Sequence, residues 1–335
     1  MTKRWDLIKG IVIAAAMGLL ILDAETALEG ANSGITLCIQ TVIPSLFPFF
    51  ILSILLTGAW MGTKISILQP ICCLLRIPKG SETILIAGIF GGYPVGAQCV
   101  SQAFEQGQLS ARDARRMLSF CSNCGPAFLF GMIGTVFDEK WIPWALWGVH
   151  LLSAMLVSLV IPGENGKPIL LSSAEKITIP TALNKALRIM ASVCGWVVIF
   201  RIIIQFLQRW FLWLLPTEWQ VAVCGLLELS NGCVELRNIE NTTLRFILCA
   251  GFLSFSGLCV TMQTYSVLSP KLDRRLYFPG KVLQCCFSLM IGSVLFLSAE
   301  NILQFLWIPT AIAILLIVFL RKTQNNSSIP SAVGV

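Results

Sequence analysis

AGIFGGYPVGAQCVSQAFEQGQLSARDARRMLSFCSNCGPAFLFGMIGTV, residues 87–136, decides how the rest of this chain is read. The stretch is apolar enough to enter a membrane, yet it is interrupted twice, at Gly91-Gly92-Tyr93-Pro94 and at Asn123-Cys124-Gly125-Pro126. Proline removes a backbone donor and clashes with the preceding turn, and paired glycines relax a helix, so both places are expected to be unwound. Unwound backbone survives at membrane depth only where protein or a water-filled cavity satisfies its free N–H and C=O groups. Two such breaks close together mark a site.

Composition around that stretch sets the class. Over 335 residues the chain is 56% apolar and 12% charged, with a mean hydropathy of +0.80. Soluble domains carry charge on about a quarter of their residues, so this is read as a polytopic, all-α membrane protein. The start, Met1-Thr2-Lys3-Arg4-Trp5 followed by an apolar run to Leu22, has the charge and core of a signal sequence. No small-residue cleavage site precedes Asp23-Ala24-Glu25, so it reads as a retained signal anchor. The formal net charge of +7 does not point to nucleic acid, because the bases lie scattered in short loops, where such charges orient membrane helices.

Apolar runs of crossing length, roughly 17–25 residues each, lie near 7–22, 35–58, 117–137, 142–161, 186–207, 246–268, 281–299 and 302–320. Two more, 82–104 and 219–236, are interrupted in the middle and could cross once or enter and return. If both return, Lys3, Arg4, Lys9, Lys64, Arg76, Lys79, Arg112, Arg115, Arg116, Lys167, Lys176, Lys185, Lys271, Arg274, Arg275, Lys281, Arg321 and Lys322 fall on one side. Asp23, Glu25, Glu29, Asp138, Glu139, Glu218 and Glu300 fall on the other. That segregation obeys the bias of Lys and Arg toward the cytoplasm. It predicts about eight transmembrane helices plus two re-entrant hairpins, with both termini cytoplasmic.

The predicted order repeats. Crossing, hairpin, broken crossing, crossing over 35–161 recurs over 182–299 with opposite starting side. The remaining pieces are an N-terminal anchor and outer loop (1–34), a cytoplasmic linker (162–181), a last crossing (300–322) and a disordered tail (323–335). Inverted repeats with interrupted segments at matching places point to a transporter site where the repeats meet.

The motifs GGYPVGAQ (91–98), ARRMLSFCSNCGPAFLFGMIGTVF (114–137), PSLFPFFILS (44–53) and GLLELSNG (225–232) resemble those of the YlbJ-type sporulation integral membrane proteins, which carry a nucleoside-recognition or gate domain. The resemblance runs over about residues 35–296. It implies a fold related to the gate region of concentrative nucleoside transporters, in the inner membrane of an endospore-forming bacterium. The chain departs from the commoner pattern in placing cysteines at 121 and 124, either side of Ser122-Asn123.

The candidate substrate-binding residues are Gly92, Tyr93, Pro94, Ser122, Asn123, Glu228, Asn231 and Ser256. Glu228 is the most informative, since a charge at the bilayer centre costs at least ~2.5–3.5 kcal/mol on insertion scales. It is read as a solute acceptor or proton carrier, or else as a carboxylate wetted at the hairpin mouth. Arg201 either pairs with Glu228 or snorkels to the interface. The glycines could serve close helix packing alone, and Asn123 an interhelical contact; Ser254 and Ser256 could bond back to their own helix.

The thirteen cysteines read as small hydrophobes. The Cys121–Cys124 spacing lacks further metal ligands, because the chain has a single histidine, His150, on another crossing and read as an interhelical or interfacial contact. No Walker loop, catalytic triad or paired-histidine helix is present, so neither enzyme nor cofactor nor metal is expected. The leading reading is a gradient-driven transporter or permease for a small polar solute, nucleoside-like by the resemblance; a proton or sodium coupling ion and a homo-oligomer stay open. The alternative is a non-transporting scaffold for spore-envelope assembly.

Overall fold

The computed structural model describes residues 2–60, 63–161, 177–296 and 308–320, all helical or irregular with no strand among them. Most of the linker expected at 162–181 lies outside the described residues. The tail at 323–335, Lys167, Lys176, Glu300, Arg321 and Lys322 lie outside them entirely.

The chain begins with α1 (Thr2–Leu22) and α2 (Ala24–Leu37), which passes through a π-helical turn (Cys38–Val42) into α3 (Ile43–Trp60). The outer loop expected before residue 35 is therefore helix. Local chemistry explains the correction: the Asp23 carboxylate accepts from Thr26 N at 3.3 Å and starts α2. Gly30 and Gly34 then lay it against a later helix, where a Cβ on Gly30 would sit 2.8 Å from Ile202 Cα and one on Gly34 3.0 Å from Val198 Cα. Small residues four apart permit that backbone approach.

After α4 (Gln69–Leu74) come the arms of the first hairpin, α5 (Glu82–Phe90) and α6 (Val95–Glu105). They fold back on one another closely enough that a Cβ on Gly96 would lie 2.8 Å from Gly88 Cα. Next, α7 (Ala111–Leu118) ends before an irregular stretch, and α8 (Pro126–Met132) restarts beyond it. The expected crossing over 117–137 is thus no continuous helix, because Asn123-Cys124-Gly125 is non-helical and Pro126 opens a new first turn. The helix α9 (Ile142–Val160) closes the first half.

The second half opens with α10 (Ile179–Trp210), against which α2 packs. Its hairpin is α11 (Thr217–Leu227) and α12 (Leu229–Glu235), followed by α13 (Thr242–Phe255), α14 (Gly257–Val267), α15 (Tyr277–Phe296) and the apolar α16 (Ile308–Leu320). Among the described residues six helical stretches are long and apolar enough to cross a membrane, at 5–22, 24–60, 142–160, 179–210, 242–267 and 277–295. The protein is a multi-pass, all-helical membrane protein in which the count of eight is reduced by the break at 119–125 and by the described length of α16.

Two residues of the expected cytoplasmic charge set lie inside the protein. Arg116 is 3% exposed. It donates to Leu75 O (2.7 Å), Arg76 O (3.1 Å), Ser158 O (2.7 Å) and Ile161 O (3.0 Å). Those carbonyls belong to the C-terminal ends of α4 and α9, where backbone acceptors lack helical partners and a cation is favoured. Lys281 is the other, fully buried in α15.

Candidate functional site

The first hairpin tip is Gly91-Gly92-Tyr93-Pro94, wholly buried, with Gly92 at φ +73° and the Tyr93–Pro94 peptide cis. Only glycine takes that φ without strain. Gly92 faces the break between α7 and α8, where a Cβ on Gly125 would come within 3.0 Å of Gly92 Cα. At the second tip α11 ends and α12 starts at Glu228, whose backbone is extended (φ −141°, ψ 120°). There Gly257 (φ +77°) presses on the tip: its Cβ would meet Leu229 N at 3.2 Å and Leu227 O at 3.3 Å. Each half thus sets the glycine of a broken helix against the tip of its own hairpin.

The two tips meet. Tyr93, Cys124 and Gly125 from the first half, and Glu228, Leu229, Ser230 and Gln263 from the second, line one cavity of about 30 Å³. Water needs roughly 10–15 Å³ of such volume, so the junction has room for a water or two and is shut to a solute. Tyr93 Oη donates to Leu253 O at 2.9 Å, tying the first tip to α13.

Glu228 is 1% exposed, which removes the reading of a carboxylate wetted at the hairpin mouth. Its oxygens accept from the amides of Ser230 (3.0 Å) and Asn231 (2.6 Å), capping α12. Arg201 does not form an ion pair with it; Nε and Nη2 donate to Ser33 Oγ at 3.0 and 2.8 Å. Two backbone donors aimed at one carboxylate are charge-assisted bonds, stronger than neutral ones.

Ser122 and Asn123 turn away from the junction. Lys281 Nζ donates to Ser122 O and, at 2.7 Å, to Gln284 Oε1. Gln284 Nε2 donates to Asn123 Oδ1 (3.2 Å) and His150 O (3.3 Å), and Asn123 Nδ2 donates to Phe120 O (2.8 Å). Cys124 N donates to His150 Nε2 at 3.0 Å, which leaves the ring proton on Nδ1, facing Ser254 Oγ at 3.2 Å. The lone histidine, though on another helix, is therefore part of the first break. Lys281 Nζ also lies 5.1 Å from the centre of the Tyr93 ring, a cation–π contact.

The structure thus divides the eight candidates. Tyr93 and Glu228 line the junction, with Gly92 and Pro94 shaping the tip behind Tyr93. Ser122 and Asn123 belong to the Lys281 network, and Asn123 also borders an apolar pocket of about 240 Å³ beside α4, α5 and α9. Asn231 faces a separate, larger cleft. Ser256 (φ +68°) forms the kink between α13 and α14.

Sequence reasoning missed Lys281 and Gln284, having counted Lys281 among the cytoplasmic charges at the very start of the 281–299 crossing. A signal existed: Lys281, Gln284 and Ser288, all fully buried, form a polar stripe at helical spacing in an otherwise apolar run. Among the described residues every cysteine is free, and no group of three or more His, Cys, Asp or Glu could hold a metal ion.

No family model and no solved structure matches the chain. Over 296 residues it is 23% identical to the sporulation integral membrane protein YlbJ of Bacillus subtilis (strain 168), an alignment covering 75% of this chain and 72% of that protein. The chain is similar to an integral membrane protein of sporulation.

Proposed function

We propose that this protein is a gradient-driven permease for a small polar solute in the inner membrane of a spore-forming bacterium, with both termini cytoplasmic. Its two halves, 35–161 and 182–299, are read as inverted repeats with the gate-like architecture that the resemblance implies. One observation carries the reading: a neutral tip and a charged tip, contributed by different halves, close on a single cavity lined by Tyr93 and Glu228. A neutral Ser, Thr or Asn would also cap α12, so a scaffold needs no buried carboxylate at that break, where its desolvation is costly. A carrier does, because the same group accepts from a solute or takes up a coupling proton when the tips part. With room for only a water or two, the observed state is the shut one, so transport requires relative movement of the halves.

The reading is tested by thermal-shift screening of the purified protein against nucleosides, amino acids and dicarboxylates, followed by uptake of any stabilising compound into proteoliposomes. A ligand at 100 times its dissociation constant stabilises by ~2.7 kcal/mol. Glu228→Gln is expected to abolish accumulation. If it leaves binding intact the carboxylate carries the proton, and if binding goes as well it holds the solute. Full sporulation by Glu228→Gln and Tyr93→Phe strains, with no compound taken up, would favour the scaffold for spore-envelope assembly.

A further inference from the structure

Beside the shut junction lies a second and much larger space, a cleft of about 710 Å³ between α2, the start of α3, α8, α10 and α12. Its volume is in the range of small-molecule sites. The residues that give it chemistry are Ser33, Gln40, Thr135, Arg201, Asn231 and Arg237. Among the described residues two arginines line it and no aspartate or glutamate does. The nearby acids have other partners: Glu228 accepts from Ser230 N and Asn231 N and faces the other cavity, Glu29 accepts from Gln205 Nε2 at 3.1 Å, and Glu235 accepts from Asn238 Nδ2 at 2.6 Å.

Two side chains in the walls carry polar groups left without partners, and a third is held open beside them. Arg201 is anchored on one edge by Ser33, whereas its Nη1 is buried and unbonded. Asn231 is 1% exposed, and neither its Oδ1 nor its Nδ2 has a partner among the described residues. Arg237 is fixed by Nη2 donating to Thr135 O (3.1 Å) and Oγ1 (2.8 Å), and its side chain stays open to solvent. Buried polar groups are almost always bonded, so unbonded ones at a cleft wall are left to bond whatever fills it. A guanidinium with free N–H groups matches the paired oxygens of a carboxylate or phosphate, and a neighbouring amide offers both a donor and an acceptor.

We propose that this cleft binds a small anionic solute through a carboxylate or phosphate held by Arg201, Arg237 and Asn231. It rests on the permease reading for calling that anion the substrate, and it makes the substrate an anion rather than an uncharged nucleoside. Asn231 joins the two spaces. Its amide N–H holds Glu228 at the junction while its side chain faces the cleft, so an occupant of the cleft bears directly on the α12 N-terminal turn that closes the shut cavity.

The test uses the purified full-length protein and the melting temperature as readout, with succinate, glutamate, inorganic phosphate, uridine and phosphatidylglycerol as separate probes. At least one soluble anion is expected to raise the melting temperature. Its apparent affinity should fall on the order of 30-fold or more in Arg201→Gln, since one partner of a charged pair is removed. Should that variant fail to fold, Arg237→Gln and Thr36→Asp keep the test open. Both positions are exposed in the cleft, so these variants should melt like the parent while losing the anion-induced shift. The proposal is overturned if no soluble anion shifts the melt, if the shift survives both exposed substitutions, or if only phosphatidylglycerol acts, which would make the cleft a lipid seat. Counterflow in proteoliposomes separates the two readings. An anion that binds but is not exchanged sinks the permease and leaves the site; uridine exchange without anion binding sinks the anion site and leaves the permease.

Discussion

The break between α7 and α8 runs from Ser119 to Gly125 and relies on other helices, whereas the break between α13 and α14 is made at Ser256 and satisfied locally. In the first, Ser122 O is met by Lys281 and Cys124 N by His150, donor and acceptor being supplied by α15 and α9. In the second, Ser256 N still donates to Phe252 O at 2.8 Å and α14 begins at the next residue. The hairpin tips differ in the same sense: four residues, 91–94, turn the first, and Glu228 alone turns the second. A long break frees more backbone groups, each needing a partner, and so it recruits a buried polar network that includes a cation. A short break frees few, and one carboxylate suffices to cap the helix beyond it. The two breaks therefore bring groups of opposite charge to Tyr93, both from the second half: Lys281 over its ring and Glu228 across the cavity.

The largest expected effect comes from the glycines that let each hairpin close. A Cβ on Gly88 would sit 1.9 Å from Cys121 O, a backbone atom of the long break, while one on Gly225 would meet the Phe252 ring at 2.4 Å. Gly88→Ala is expected to cost about 3 kcal/mol or more, beyond the usual range of overpacking. Gly225→Ala should cost less, and pairing it with Phe252→Leu should recover part of the loss. Thermal melts of the three variants check this, and equal losses at Gly88 and Gly225 would break the contrast.

Next in size is the polar network. Gln284→Leu leaves the Lys281 ammonium with a single carbonyl acceptor and an aromatic face, which should cost ~2–3 kcal/mol for a lost bond to a charged group. Lys281→Met removes the buried charge together with its needs and should cost less than Gln284→Leu. A melt in which Lys281→Met proved the worse of the two would show that the ammonium is a net stabiliser of the long break.

A smaller effect is expected at the second tip. Glu228→Gln keeps one acceptor oxygen for the two amides at the start of α12 and should lower stability by ~1 kcal/mol, as loss of a helix N-cap does. Tyr93→Phe, which deletes the bond to Leu253 O, should cost a similar ~1 kcal/mol. Stability and transport should therefore part company at Glu228, with a mild change in the melt beside complete loss of accumulation.

The smallest effect lies outside the helix breaks. Asp273, in the turn before α15, is partly buried, which raises its carboxyl, but the Arg275 amide and the Arg115 guanidinium at 3.0 Å bring it below the ordinary carboxylate range. A depressed native value contributes stability above the unfolded pKa, near about 3.9, and that contribution is lost as pH falls through the lower native value. The melting temperature should drop slightly more steeply on acidification below that range in the parent than in Asp273→Asn, and parallel curves would remove the pair from the account.

How far the sequence could be read follows the same line between local and distant causes. The interruptions at 91–94 and 228 were legible because Gly, Pro and a lone carboxylate in an apolar run announce themselves within a few residues. The helix over 24–34 was missed although Asp23 and the Gly30–Gly34 spacing were in plain view, because polar residues there outweigh the apolar ones. The large cleft was half legible: Asn231 was named for its neighbour Glu228, but nothing near Arg201 or Arg237 in the chain says that they share a wall.

The sequence by itself determined that this is a multi-pass membrane protein and where its helices fail, because hydropathy, proline geometry and glycine freedom act over a turn or two. Only the tertiary structure decided which partners answer those failures. Lys281 reaches Ser122 across 159 residues, Gln284 reaches Asn123 across 161, and Arg201 reaches Ser33 across 168. A free carbonyl at membrane depth demands a donor but does not name one, and the choice falls to whichever side chain the packing of α15, α9 and α10 brings within about 3 Å.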